Sequence, residues 1–452
     1  MSDATPGLRR TLRLGSVVLF GLAYLTPLIV LGTFGIVSDL TSGASPSAYV
    51  LALAAMLFTA YSYGTMARAY PVAGSAYTYV RRTIDSRAGF LVGWAVLLDY
   101  FFLPMVIWLI GGTYLQAQFP SVPFWVWIVA FVGATSCLNL LGIKVADKAN
   151  YLLMAFQLLV VAIFVALSLR HLLAADGAGA WFSVTPFVND STTWGGVSAG
   201  AALAAYSFLG FDAVTTLTEE TVDPRRTMPR AILLIALIGG GIFVVVAYTT
   251  QLVHPGTFAS PDSAAFDVAT TIAGNVFASV FLAGLVVAQF ASGLAAQASA
   301  SRLLFAMGRD AVLPRRVFGF LHARFGTPAF NIALTGGVGL VALVLDVSTS
   351  TSFINFGAFV AFTAVNLSVL ALFLRERAAG RRPRLVPYVV VPAIGAGIDA
   401  WLLVNLDSAA LVLGVIWLAA GVAYLAYLTR LFRVPPPELE RAEHPEQAVS
   451  GH

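Results

Sequence analysis

The chain has 452 residues, 59% of them hydrophobic and 11% charged, with a mean hydropathy of +0.85. Soluble globular chains carry about 25% charged residues, so a soluble enzyme or binding domain is excluded and the membrane class is indicated. The net charge of +4 is explained by where the charges sit rather than by a nucleic-acid partner, and the single Cys137 leaves no intrachain disulfide and no cysteine-based metal site.

Arg9, Arg10 and Arg13 precede a long apolar segment. That segment is too long for a secretory signal and many more follow, so it reads as a retained first helix behind a tail, 1–14. At about 20 apolar residues per span, twelve helices are expected. They fall at roughly 15–40, 47–69, 89–117, 123–142, 149–171, 193–218, 229–252, 267–298, 327–346, 350–374, 385–405 and 409–432. With twelve spans and both ends on one side, every Lys and Arg except Arg170 falls on that side. The positive-inside rule makes it the cytoplasmic one, in an inner membrane. Two inside connections, Ala73–Arg82 and Ser299–Arg309, read as short interfacial helices, with Tyr77 and Tyr79 suited to the headgroup level. The first tail and the Pro-rich, acidic tail 433–452 read as disordered.

The first span is interrupted by Pro27, in GLAYLTP, and by Gly32 and Gly35. Proline inside a helix removes a hydrogen bond and clashes with the preceding turn. The sixth span carries Gly210 and Asp212 near its centre, in Ala205–Leu217. A carboxylate at membrane depth costs at least about 2.5–3.5 kcal/mol on insertion scales, and unwound backbone survives there only where it lines a cavity or is buried in protein. Two interrupted helices, five spans apart, point to a secondary-transporter site between repeats.

Asp99 and Tyr100 lie mid-way along the third span, where Asp99 is either a second acid near a substrate or proton path, or an acid bonded to neighbouring helices. Asp399 sits nearer the end of the eleventh, in a structural or lipid-edge position. Glu219, Glu220 and Asp223 beside Arg225, Arg226 and Arg230 form either an inner gate of ion pairs or a solvated charge run. Gln157, Gln289 and Asn355 are further buried-polar candidates. No GxxxxGK[ST] loop and no HExxH occur, so neither an ATP-driven pump nor a metalloprotease is visible, and no metal or other cofactor is called for.

The segments GFDAVTTLTEETVDPRRTMPRAI (Gly210–Ile232), PVAGSAYTYVRRTI (Pro71–Ile84) and SRLLFAMGRDAVLPRRVFGFLHARFGTPAFN (Ser301–Asn331) resemble the amino acid–polyamine–organocation superfamily. LVGWAVLLDYFFLP (Leu91–Pro104) and INFGAFVAFTAVNLSVL (Ile354–Leu370) add a likeness to its bacterial putrescine importers. The resemblance runs over nearly the whole chain. It implies an all-α membrane protein with a five-plus-five inverted repeat, 15–171 and 172–374, followed by helices 11 and 12 in 375–432. It also implies alternating access, usually driven by protons.

Three departures from the family stand out. Gly32 occupies the place of an acid that the putrescine importers carry in FDTFG. Pro27-Leu28-Ile29 replaces the GSG-type turn whose N–H groups hold an amino-acid carboxylate. Gln157, after Asn150, replaces a helix-5 lysine linked to ion coupling, so a proton needs a carboxylate instead, Asp99 or Asp212.

The expected function is import of an amine-bearing solute, polyamine-like, with an amino acid permease or exchanger as the alternative. A non-transporting nutrient sensor or a channel is the competing class. The expected substrate site joins Thr26, Pro27, Gly32 and Thr33 of helix 1 to Phe208, Gly210, Phe211 and Asp212 of helix 6, with Tyr100 alongside. Asp212 would hold the ammonium.

Overall fold

A computed structural model of the protein describes residues 10–72, 76–142, 147–309 and 313–436. These form helices and connecting turns, with one two-residue bridge between Leu12 and Thr221. The first half holds α1 (Leu14–Leu25), α2 (Ile29–Leu40), α3 (Ser45–Ala69), the short α4 (Ala76–Thr83), α5 (Ser86–Gln118), α6 (Phe124–Leu140) and α7 (Asp147–Asp176). Then come α8 (Trp194–Ala204), α9 (Pro224–Val253), α10 (Ala264–Arg309), the one-turn α11 (Arg315–Phe318), α12 (Ala329–Gly339), α13 (Val347–Ala378), α14 (Val391–Val404) and α15 (Ser408–Leu428).

Among the described residues nine helical runs are long and apolar enough to cross a membrane, and the bent pair α1–α2 makes ten. Two apolar helices are shorter, Phe124–Leu140 and Ala329–Leu343. This is a multi-pass membrane protein. Span starts follow local chemistry: Asp85, Asp346 and Asp407 accept N–H bonds in the first turns of α5, α13 and α15, and Thr193 does so for α8. These caps satisfy donors that a helix start leaves open, one each at Asp85, Asp346 and Thr193 and two at Asp407.

Two expectations are corrected. Ser299–Arg309 is the continuous end of α10 rather than a separate interfacial helix. No proline or glycine interrupts Leu294–Met307, and its alanines favour helix, so nothing stops propagation. The break in α10 lies at its other end, at Ala273 and Gly274. Ala76–Thr83 is a helix as expected, while residues 73–75 lie outside the described residues. Its Tyr79, however, is fully buried edge-on to Tyr63 instead of sitting at the headgroup level, because α4 packs on α5 and α13. Both expected disordered tails lie outside the described residues over 1–9 and 437–452.

Asp399 settles on its structural alternative. It is 0% exposed, and its Oδ2 accepts hydrogen bonds from Thr59 Oγ1 (2.7 Å) and Asn366 Nδ2 (2.9 Å). Ser62 Oγ donates to Asn366 Oδ1 (2.5 Å), so one polar knot ties α3, α13 and α14. In hydrocarbon such groups have no water to turn to. Asn366→Leu should therefore lower the melting temperature of the detergent-solubilised protein by several degrees, at about 1–3 kcal/mol per orphaned buried group. Asp399→Asn, which keeps an acceptor in place, should cost less. Equal melting of Asn366→Leu and the parent protein would show that the knot adds no stability.

Candidate functional site

The first helix breaks because Thr26 turns left-handed, at φ 53° and ψ 82°, just before a proline without an N–H. A non-glycine residue there costs about 1–3 kcal/mol and persists only when its surroundings hold it. Thr26 donates its N–H to Ala23 O (3.3 Å), and the chain restarts with Ile29 N–H on Thr26 O (2.8 Å). α1 and α2 meet at 50°.

The sixth span unwinds in steps. α8 stops at Ala204, tightens to a 3₁₀ turn over Ala205–Phe208, passes through Gly210 at φ +100°, and resumes as 3₁₀ over Ala213–Glu220. Gly210 is required twice over: its φ suits glycine, and a Cβ would collide with the Tyr24 ring. The two breaks are thus in direct contact. Asn355 of α13 donates its amide to Ala202 O (2.7 Å) and Leu203 O (3.2 Å), closing carbonyls that the end of α8 leaves open. Beside the other break, Tyr114 donates to Leu31 O (2.5 Å).

Asp212 and Asp99 are both half-buried, and each acid's charge acts on its surroundings. Asp212 faces Tyr63 without a well-aligned hydrogen bond, and one oxygen of Asp99, Oδ1, is buried without a partner. Tyr24 and Tyr100 lie within range of both charges, and Tyr79 within range of Asp212. Among the described residues no basic side chain acts on either acid. A pair of carboxylates in low dielectric without a counter-ion is a strong attractor for a cation or for protons.

The remaining expected site residues stand further back. Phe208 is fully buried edge-on to Phe243 (5.1 Å), and Phe211 is packed on Tyr63 (5.7 Å) and Phe362 (5.4 Å). Thr33 is buried, and its hydroxyl pairs with Tyr49 OH (3.3 Å). Pro27 and Gly32 are buried, with Gly32 backed by Ile110. These residues pack behind the breaks, while Asp99 and Tyr100 on α5 lie within electrostatic range of Asp212. Tyr24 and Tyr63 escaped the sequence reading, and Tyr79 was placed at the headgroup level instead; the one signal for the first two was a tyrosine in a span that otherwise had no need of a hydroxyl.

A cavity of about 140 Å³ opens at the helix 1 break, with Thr26, Tyr24, Tyr206, Gln157 and Gln289 on its walls. At the arginine-rich end of the molecule, Glu220 O accepts N–H bonds from Thr11 (2.9 Å) and Leu12 (3.0 Å), and Val222 N–H donates to Leu12 O (2.9 Å). In the charge cluster there, the ion pair among the described residues is Arg226–Asp223 at 3.7 Å, with side chains 81% and 53% exposed. Exposed pairs contribute about 0–1 kcal/mol. The Glu219 side chain and Lys144 lie outside the described residues.

Residues 17–423 match the amino acid permease family model. The chain is 42% identical over 436 residues, 96% of each chain, to the low-affinity putrescine importer PlaP of Escherichia coli K12. It is 26% identical to the branched-chain amino acid permease BcaP of Bacillus subtilis, over 84% of each chain. It is also 26% identical to the methylthioribose transporter of the same organism, over 93% of this chain and 94% of that one.

Gly210→Ala should destabilise the fold by roughly 2–4 kcal/mol, from strain at positive φ together with overpacking against Tyr24. Gly241→Ala, where a Cβ meets nothing within 4 Å, serves as the control. Thermal melts of the two purified variants check this, and parity between them would mean that Tyr24 does not rest on Gly210.

Proposed function

This chain belongs to the amino acid permease family, and on that premise we propose that it is a secondary active transporter importing a small amine-bearing solute, polyamine-like, by alternating access. The observation that carries the reading is the uncompensated pair Asp99 and Asp212 beside two touching helix breaks. Asp212 accepts the substrate ammonium in a charge-assisted hydrogen bond. Tyr100 and its neighbouring tyrosines pack the methylenes and add cation–π attraction, worth about 0.5–2 kcal/mol. The name of the 42%-identical relative, a putrescine importer, favours the same substrate class.

The transport unit is a twelve-span, five-plus-five inverted repeat, 15–171 and 172–374, with 375–432 adding two helices. Its symmetry is supported by the irregular helices. The broken spans are the first and sixth, and the two short apolar helices, Phe124–Leu140 and Ala329–Leu343, are the expected fourth and ninth. Both ends are cytoplasmic in an inner membrane, on the charge asymmetry. Import is coupled to protons through Asp99 or Asp212, since Gln157 does not titrate.

An amino acid permease is the second reading, favoured by the branched-chain relative. Against it, Pro27 has no N–H to offer a carboxylate at the break.

Counterflow in proteoliposomes with labelled diamines and amino acids tests the class, and diamine counterflow is expected. Asp212→Asn should abolish uptake with expression intact, and normal transport by that variant would remove Asp212 as the anchor. Asp99→Asn should flatten the pH dependence of uptake, whereas an unchanged profile would assign the coupling proton elsewhere.

A further inference from the structure

At the arginine-rich end of the molecule, three stretches far apart in sequence close on one corner. Arg375, in the last turn of α13, donates from Nη1 to the Arg82 carbonyl in the last turn of α4. Arg87, at the start of α5, donates from Nη2 to the Phe432 carbonyl beyond α15 (2.6 Å), with its guanidinium over the Phe432 ring. The chain reaches that contact through Arg430, Leu431 and Phe432, consecutive non-glycine residues at φ 49°, 59° and 65°. Left-handed backbone of this kind is rare outside glycine and persists only where its surroundings hold it. Leu431 N–H on Ala426 O (2.7 Å) and Val434 N–H on Thr429 O (3.0 Å) do so, together with Arg87.

Arg87, Arg375, Arg377, Arg430 and Arg433 are exposed at this corner, and none has a carboxylate partner among the described residues. The acids of these stretches are already used, since Asp85 caps the start of α5 and Glu376 pairs with Arg381 (2.6 Å). Arg87 and Arg375 each spend a donor on a carbonyl, and a guanidinium has further donors to offer. Exposed apolar side chains stand on the same stretches: Leu374 (66% exposed), Tyr427 (79%) and Leu431 (73%). The positive-inside rule accounts for basic residues at this end, but not for their convergence on one corner. Forked donors beside apolar side chains complement an anion of several oxygens that is joined to an apolar body. A phosphate diester carrying acyl chains has both parts, and the bilayer supplies it where these helices leave the membrane.

We propose that this corner is a binding site for an anionic phospholipid, its phosphate held between Arg87, Arg430 and Arg433 and the α13 arginines Arg375 and Arg377. The acyl chains lie against the exposed apolar surface that includes Leu374 and Tyr427. The bound lipid bridges the ends of α5, α13 and α15, and a ligand that binds only the folded state stabilises it. The site goes beyond the transport reading and holds whichever solute is carried.

The test is titration of the delipidated full-length protein with phosphatidylglycerol and, separately, phosphatidylcholine, read as bound lipid by native mass spectrometry and as melting temperature. Phosphatidylglycerol is expected to bind more tightly by roughly tenfold or more and to raise the melting temperature by several degrees. Arg430→Gln with Arg433→Gln, whose side chains make no bond among the described residues, should erase about tenfold of that preference. Arg315→Gln with Arg316→Gln, on α11 against α10 and α12, should leave it unchanged. Equal affinity for the two lipids, or equal losses in the two double variants, overturns the site, because diffuse charge would then suffice. Inorganic phosphate alone should not shift the melt, and a rise equal to the lipid's would mark a free-anion site and overturn the lipid assignment. A preference that emerges only in Glu438→Gln/Glu440→Gln/Glu443→Gln/Glu446→Gln would assign the arginines to the chain's own acidic tail and overturn it likewise.

Discussion

A bilayer interior offers no water to an open backbone, and this is the constraint on which the molecule's distinctive features depend. Two helices give up their hydrogen-bond ladders at membrane depth, one at Thr26–Pro27 and one around Gly210. Each opening has to be closed by protein. Asn355 reaches from α13 to the carbonyls of Ala202 and Leu203, Tyr114 reaches from α5 to Leu31, and the Tyr24 ring lies over Gly210. The buried polar residues of α5 and α13 thus support the breaks in α1–α2 and α8. Removing a break would remove the need for its cover, so the features form one arrangement.

The same constraint separates three acids that look alike in sequence. Asp99, Asp212 and Asp399 each interrupt an apolar run. Asp399 has two donors on one oxygen and is sealed among α3, α13 and α14. Asp99 and Asp212 have tyrosines for neighbours, no basic partner among the described residues, and partial access. Depth alone therefore does not make a carboxylate functional: Asp399, like Asp99, leaves its Oδ1 without a partner, and what separates it is the pair of donors on Oδ2 and its complete burial.

Much of this was legible in the chain itself. The spans showed as apolar runs of sufficient length, and the breaks showed as Pro27 and Gly210, because proline and glycine act locally on the backbone. Features that join residues distant in sequence were not legible. Nothing near Asn355 announces the carbonyls of Ala202 and Leu203, and nothing near Tyr79 places it against Tyr63. Phe208 and Phe211 read as substrate contacts from their neighbourhood, yet their rings lie in aromatic packing behind the break, since a 3₁₀ turn points successive side chains differently from an α-helix. The continuity of α10 through Ser299–Arg309 was legible in its alanines but was masked by the basic residues that follow.

The bridge between Leu12 and Thr221 bears on how the two broken helices work together. Three backbone hydrogen bonds fasten the chain just ahead of α1 to the chain just after the unwound sixth span. At the break itself, Tyr24 of α1 rests on Gly210. The lower half of the first span is therefore held to the lower half of the sixth at both ends, once by backbone and once by a ring. The upper half, α2, has neither tie and packs instead on α8 and the turn at Pro261–Ser263. The two lower halves are thus tied to each other, and the departures from helical backbone fall at Thr26 and Gly210, the latter two residues from the half-buried Asp212. Under the proposed alternating access, this placement of non-helical backbone beside uncompensated carboxylates is where occupation of those charges and the angle of the break would influence each other.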